Sequence, residues 1–187
     1  MEWKEFKKDK LNYLQDHLEK DKVDLDILDL LNEINSKEDY VTSSSCYGRL
    51  SLLEIDKNKK DANFYMKWHR LVTFDEVKKS IKEYKGDKKI WFNCEPFILH
   101  IFTKDLESAN NFLKICREAH LKRGGIWIIK NFPFIEVFGT NSFSLPIFDK
   151  KILISEKYLQ YLVKESNSKL SKNFKQIDNL FEIIKNK

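Results

Sequence analysis

The sequence predicts an α+β fold: mixed, largely antiparallel sheet or sheets flanked by helices, ending in a long C-terminal helix. Three observations carry this. Strand-like segments cluster between helical ones without strict alternation, which disfavours a doubly wound sheet. An apolar stripe at helical spacing runs from Leu159 through Leu162, Ser166, Leu170, Phe174, Ile177 and Phe181 to Ile184. The five glycines, Gly48, Gly86, Gly124, Gly125 and Gly139, build no glycine-rich phosphate loop, so a P-loop and a Rossmann-type dinucleotide fingerprint are both disfavoured.

A chain of 187 residues suits one domain at about 150 residues each. The expected division is a single domain, 1–187, with a helical N-terminal segment (1–36), an α+β core (37–154) and a helical C-terminal segment (155–187). With 42% hydrophobic and 13% aromatic residues, the composition excludes a disordered chain. No run approaches the roughly 20 apolar residues of a membrane span, and Met1–Phe6 mixes charge and ring, unlike a secretory signal. A net charge of +5 permits an RNA partner without requiring one. Cys46, Cys94 and Cys116 are odd in number and lack CxxC spacing, which reads as reduced and cytoplasmic. His17, His69, His100 and His120 are too scattered for zinc-ligand spacing, so no metal is expected.

Trp3 to about Lys20 places Trp3, Phe6, Leu11, Leu14 and Leu18 near one side of a helix. Leu25, Leu28, Leu31 and Ile34 predict a second, stopping near Asn35-Ser36. Strands follow at 40–43, 49–56 and, after a polar turn 56–63, at 64–72. Thr73 caps a short helix using Val77, Ile81 and Tyr84. Residues 88–93 and 97–102 read as a strand pair broken at Pro96. Asp105–Leu121 is a helix with Leu106, Ala109, Leu113, Cys116 and Ala119 or His120 inward, stopped by Gly124-Gly125. Strands at 126–130 and 134–138 flank Asn131-Phe132-Pro133, and two more fit 143–148 and 151–154. Ser155 caps the last helix, which at 1.5 Å per residue would span about 45 Å; a break is expected near Asn167-Ser168.

The segment Thr42-Ser43-Ser44-Ser45-Cys46-Tyr47-Gly48-Arg49 is the richest in chemistry. Hydroxyls and glycine let backbone N–H groups face a ligand, and arginine adds a planar cationic fork, a combination suited to phosphate or carboxylate. It is also compatible with a plain serine-rich hairpin. Cys46 is either a nucleophile or a small residue packed under the turn. Glu95 precedes Pro96 at a strand start, a positioned carboxylate able to act as a base or to meet an amine, or else a solvated edge charge. His69 and His100 sit in apolar strands as bases or as hydrogen-bonded core residues. Trp68, Trp91 and Trp127 are stacking faces or core. Lys164, Lys169, Lys172, Lys175 and Lys185 form an outer face for RNA backbone or for solvent.

Tyr40-Val41-Thr42-Ser43-Ser44-Ser45-Cys46-Tyr47-Gly48-Arg49-Leu50 resembles the signature Y-F-T-T-S-S-C-small-G-R-I of the tRNA wybutosine-synthesizing protein 3 family. Cys94-Glu95-Pro96-Phe97-Ile98-Leu99-His100-Ile101 resembles its second signature, E-P-F-hydrophobic-L-H-hydrophobic. His69 falls where the family has a strand-ending histidine. The stretch from Ala109 to Gly125-Ile126 and the end from Leu145-Pro146 to Asn173 are similar too. Val41 and Ser43 depart mildly, Tyr47 is bulkier than the usual small residue, and Gly124 replaces a serine. The resemblance implies an S-adenosyl-methionine-dependent methyltransferase that is not of Rossmann type. It would methylate N4 of the wyosine-type tricyclic guanine at position 37 of phenylalanine tRNA, in the anticodon loop. For that reaction the expected cofactor-binding residues are Ser44, Ser45, Cys46, Gly48 and Arg49, with Arg49 and the Ser44-Ser45 turn meeting a cofactor carboxylate or an RNA phosphate, and His69, Glu95 and His100 are the catalytic candidates, as base or orienting groups. The competing expectation is a non-catalytic RNA-binding module.

Overall fold

The structure is a computed structural model that describes residues 2–55, 62–129 and 131–187. The expected turn at 56–63 and the strand end at Lys130 lie largely outside them. In chain order the elements are α1 (Trp3–Glu19), a 3₁₀ turn (Leu25–Ile27), α2 (Leu28–Ser36), β1 (Tyr40–Thr42), β2 (Arg49–Ile55) and β3 (Asn63–Trp68). Then come α3 (Phe74–Glu83), β4 (Lys89–Glu95), β5 (Ile98–Thr103), α4 (Leu106–Glu118), β6 (Gly124–Ile129), β7 (Phe132–Phe138), β8 (Phe143–Asp149), β9 (Lys151–Ile152) and α5 (Glu156–Lys185). The fold is α+β, and every strand pairing among the described residues is antiparallel.

The chain divides into two compact units that interleave along the sequence. The first comprises Met1–Tyr47, Phe97–Thr140 and Phe174–Lys187; the second comprises Gly48–Pro96 and Asn141–Asn173. Segment 1–36 therefore lies wholly in the first unit, while 37–154 and 155–187 are each shared.

The first unit holds a four-stranded sheet in the order β1-β5-β7-β6. Period-two alternation sends Leu99 and Ile101 of β5, and Ile135 and Val137 of β7, to one face, where all are buried. Ile27, Leu30, Leu31 and Ile34, spaced three and four apart, bring the α2 segment onto that core. Ala109, Phe112, Cys116 and Ala119 do the same for α4. The inward face of α4 thus differs from the expected one: Phe112 is buried, and Leu106 is 51% exposed. Leu106 is the first residue of the helix, where a side chain lies over the preceding turn rather than over the sheet.

The stop of α4 also differs. His120 takes the left-handed conformation, φ 60°. Its N–H donates to Arg117 O, and Leu121 N–H donates to Cys116 O at 2.8 Å, which is the Schellman pattern. Gly124 instead opens β6, where the lack of a side chain matters: a Cβ would meet Glu136 O at 2.6 Å. Asp21 ends α1 in the same way, with φ 52° and with Lys22 N–H donating to His17 O.

The second unit holds a five-stranded sheet in the order β3-β2-β4-β8-β9. Leu50, Leu52, Ile90, Phe92, Cys94 and Ile147 are buried. β3 stops at Trp68 rather than at Val72. Thr73 caps α3 with a complete capping box, its hydroxyl accepting from Glu76 N and the Glu76 carboxylate accepting from Thr73 N. Ser155 caps α5 by accepting from Tyr158 N. The expected break near Asn167-Ser168 is absent, and α5 runs its 30 residues as one helix. The polar residues there find partners without leaving the helix. Asn167 makes two bonds to the Val72 backbone, and Ser166 donates to Leu162 O. Among the described residues no helix is long and apolar enough to cross a membrane.

Two substitutions separate these backbone devices. His120→Gly removes a left-handed strain and raises thermal stability by roughly 1 kcal/mol. Gly124→Ala presses a methyl on a backbone oxygen and lowers stability by roughly 1–3 kcal/mol. Calorimetric melting of the two variants checks both signs.

Candidate functional site

The hydroxyl-rich segment is not a hairpin. β1 belongs to one sheet and β2 to the other, so the segment does not join paired strands. It continues the path of β1 along β5. Tyr40, Val41 and Thr42 pair with Thr103, Phe102 and Ile101. Beyond them Ser43 N–H donates to His100 O at 2.8 Å, and the Ser45 hydroxyl accepts from His100 N–H at 3.3 Å. Cys46 exchanges both backbone bonds with Ile98, at 2.9 and 3.0 Å. Thr42 is clamped by Asn35, whose side chain accepts from Thr42 N and donates to Thr42 Oγ1. Tyr47 N–H donates to Asp24 Oδ2 at 3.0 Å, and its ring stacks on Phe174 with centroids 4.2 Å apart. Burial, helped by Asp178 and Asp26, pushes the Tyr47 phenol up to about 12. Of the serines, Ser44 is exposed, while Ser43 and Ser45 are half-buried.

His100 lies on β5 directly across from Glu136 of β7, with Nε2 3.0 Å from a carboxylate oxygen. Phe134 packs on the imidazole, with centroids 5.1 Å apart. A histidine with a fixed carboxylate neighbour and 22% side-chain exposure is a group oriented for proton transfer. The first unit therefore brings Ser44, Ser45, Cys46 and His100 into one stretch of sheet. Glu136, Asn35 and Asp24 are supports that the sequence did not single out. They belong to other elements, and only strand register or tertiary packing brings them in.

In the second unit, Gly48 takes φ 102°, a conformation that disfavours any side chain. Arg49 and Glu95 are cross-strand partners on β2 and β4. Arg49 Nε donates to Glu95 Oε2 at 2.6 Å, and Nη2 reaches Oε1 at 3.4 Å. The Ser51 hydroxyl donates to the same Oε2 at 3.2 Å. Phe64 lies against the guanidinium, 4.4 Å from its ring centroid. Glu95 thus holds one edge of the fork and Phe64 one face. His69 follows β3 directly and is half-buried. Trp68 is buried and serves the core, and Trp127 is 61% exposed. Trp91 is half-buried and lines an apolar groove of about 470 Å³ with Leu53, Ile55, Asn93 and Ser144.

Comparison with known proteins places nearly the whole chain in one family. The sequence model of the family described as Methyltransferase TYW3 matches residues 3–186. A relative from Archaeoglobus fulgidus is 32% identical over 98% of this chain and 94% of its own. It is named tRNA(Phe) 7-((3-amino-3-carboxypropyl)-4-demethylwyosine(37)-N(4))-methyltransferase. A Pyrococcus furiosus relative, which carries the same name followed by the numeral 1, is 35% identical over 91% of this chain and 88% of its own. A solved structure of a Pyrococcus horikoshii protein superposes with a TM-score of 0.92 at 32% identity, covering 97% of this chain and 95% of that one.

The cysteines give a direct check on this geometry. Burial pushes the Cys94 and Cys116 thiols up to about 12, whereas Cys46 is half-buried in the pinned segment. At mildly alkaline pH a disulfide reagent titrates no more than one thiol per native chain, at Cys46, and the other two only after unfolding. Fast reaction of Cys94 or Cys116 in the native protein would contradict the placement.

Proposed function

The chain belongs to the methyltransferase TYW3 family, and we propose that it transfers a methyl group from S-adenosyl-methionine to N4 of the demethylwyosine-type base at position 37 of phenylalanine tRNA, in the anticodon loop. The enzyme is a tRNA methyltransferase of wybutosine biosynthesis, and the cytoplasm is the compartment that fits its substrate. The observation that carries the reading is the coincidence of the two family signatures with two built structures. One is the serine segment pinned along β5, and the other is the Arg49–Glu95 clamp.

Each unit, taken by itself, carries groups suited to one part of the methyl donor. Its carboxylate calls for a planar cation, which Arg49 supplies in a fixed orientation. Its hydroxyls and ammonium call for neutral acceptors and donors, and Ser44, Ser45 and the backbone around Cys46 and Gly48 supply them. When bound, the donor provides an electrophilic methyl on a cationic sulfur. The chain's role is to hold and align, since positioning alone can lower the barrier by several kcal/mol. With the donor bound, the chain would have to align N4 with the methyl group and provide a base to take up the N4 proton. Glu95 is committed to Arg49 by a 2.6 Å ion pair, so its role is to fix the arginine fork. The two imidazoles, His69 and His100, are the proton acceptors to test.

Purified protein, labelled donor and phenylalanine tRNA carrying the unmethylated base test the reading directly. Label should enter the tRNA, and a non-catalytic RNA-binding module would transfer none. Arg49→Ala is expected to lower kcat/KM by about 100-fold, and unchanged affinity for both donor and tRNA would remove Arg49 from the site. His69→Gln and His100→Gln distinguish the bases. The variant lacking the true acceptor loses about 100-fold or more in kcat and flattens the acidic limb of its pH–rate profile. The other variant keeps that limb.

A further inference from the structure

We infer that a small cavity on the helical side of the serine segment is a binding pocket for an RNA backbone phosphate, distinct in its basic residues from the family signatures. The inference rests on the tRNA reading above and deepens it. The cavity lies wholly within the first unit. Lys10, Tyr13 and His17 of α1, Lys22 just beyond it and Ser43, Ser44 and Ser45 line it together with the apolar Leu14, Val23 and Leu31.

Three properties favour an oxyanion. First, its charged side chains are of one sign: Lys10 and Lys22 line it, and among the described residues no carboxylate does. Asp16, the nearby acid of α1, is bonded to Lys20 at 2.6 and 2.7 Å and also lies 3.6 Å from His17 Nδ1. Second, the basic groups are placed rather than loose. Lys10 lies over the Phe6 and Phe102 rings, at 5.4 and 5.0 Å from their centroids. His17 Nδ1 donates to Tyr13 O at 3.0 Å, which fixes the imidazole. The left-handed Asp21 turns the chain so that Lys22 N–H bonds back to His17 O at 2.9 Å, which holds Lys22 beside that imidazole. Third, the size is restrictive. At about 100 Å³ the cavity holds the equivalent of roughly three waters at ~30 Å³ each. That suits a phosphate or carboxylate group, whereas a whole small-molecule cofactor needs roughly 300 Å³ or more.

The shared chemistry is a hydrogen-bonded oxyanion, with the donor's carboxylate as the other source. RNA is favoured because two lysine point charges with serine hydroxyls suit a diffuse phosphodiester, while a carboxylate is better met by the planar fork that Arg49 already offers.

The test uses the full chain with Lys10→Gln, Lys22→Gln and the double variant. Binding of a fluorescein-labelled tRNA(Phe) anticodon stem-loop is followed by anisotropy over a series of salt concentrations, and S-adenosyl-methionine binding by calorimetry. The pocket neutralises one phosphate, so the double variant should lose about 1 from the slope of log K against log salt and each single variant part of that, with donor affinity unchanged. An unchanged slope and RNA affinity would overturn the pocket while leaving the methyltransferase reading in place. A fall in donor affinity with RNA binding intact would also overturn it, in favour of the carboxylate. Wild-type protein that binds no stem-loop would refute the tRNA reading itself, and this pocket with it. Lys22 is exposed, so Lys22→Gln alone carries the test if the Lys10 variants fold poorly.

Discussion

The backbone ladder that holds Ser43 to Cys46 against β5 is the constraint on which the rest depends. A run of three serines has little intrinsic preference for one conformation, and as a free loop it would lose substantial entropy on meeting a ligand. Here Ser43 and Cys46 are bonded to His100 and Ile98 through the backbone, and Ser45 adds a side-chain bond. Asn35 and Asp24 hold the flanks from the helical side. The hydroxyls are therefore presented with the positional definition of a strand, and the ordering cost is met during folding rather than during binding. The same bonds locate the His100 backbone, and the cross-strand Glu136 then orients its ring.

Arg49 and Glu95 extend this logic through a different interaction. With side chains 25% and 33% exposed, the pair sits where ion pairs add little to stability. Its value is geometric. A guanidinium bonded along one edge and packed on Phe64 keeps few rotamers, so a planar anion would meet a fork already aimed. Gly48, with its positive φ, allows the chain to turn from the pinned segment directly into this strand.

Much of this was legible in the sequence wherever the signal is local. Thr73 ahead of α3 and Ser155 ahead of α5 are short-range caps, and each caps the expected helix, while Asp105, expected as the first helical residue, is the cap of α4. The two signatures could be read as linear motifs. What was not legible depends on partners far apart in the chain. β1 and β2 are neighbours in sequence yet belong to different sheets, β1 pairing with β5 and β2 with β3 and β4. The stop of α4 fell on His120 because a Schellman turn needs only a tolerable left-handed residue, and the more obvious Gly124 was needed for a close strand contact. The break expected in α5 failed because Asn167 and Ser166 found partners, which local propensity cannot see. The Glu136 beside His100 required the register of β5 on β7.

The most direct test of the central claim is nucleoside mass spectrometry of phenylalanine tRNA from cells lacking this gene. The account predicts that the base at position 37 is lighter by one methylene, and that restoring the gene returns the methylated form. Position 37 unchanged by the deletion would contradict it.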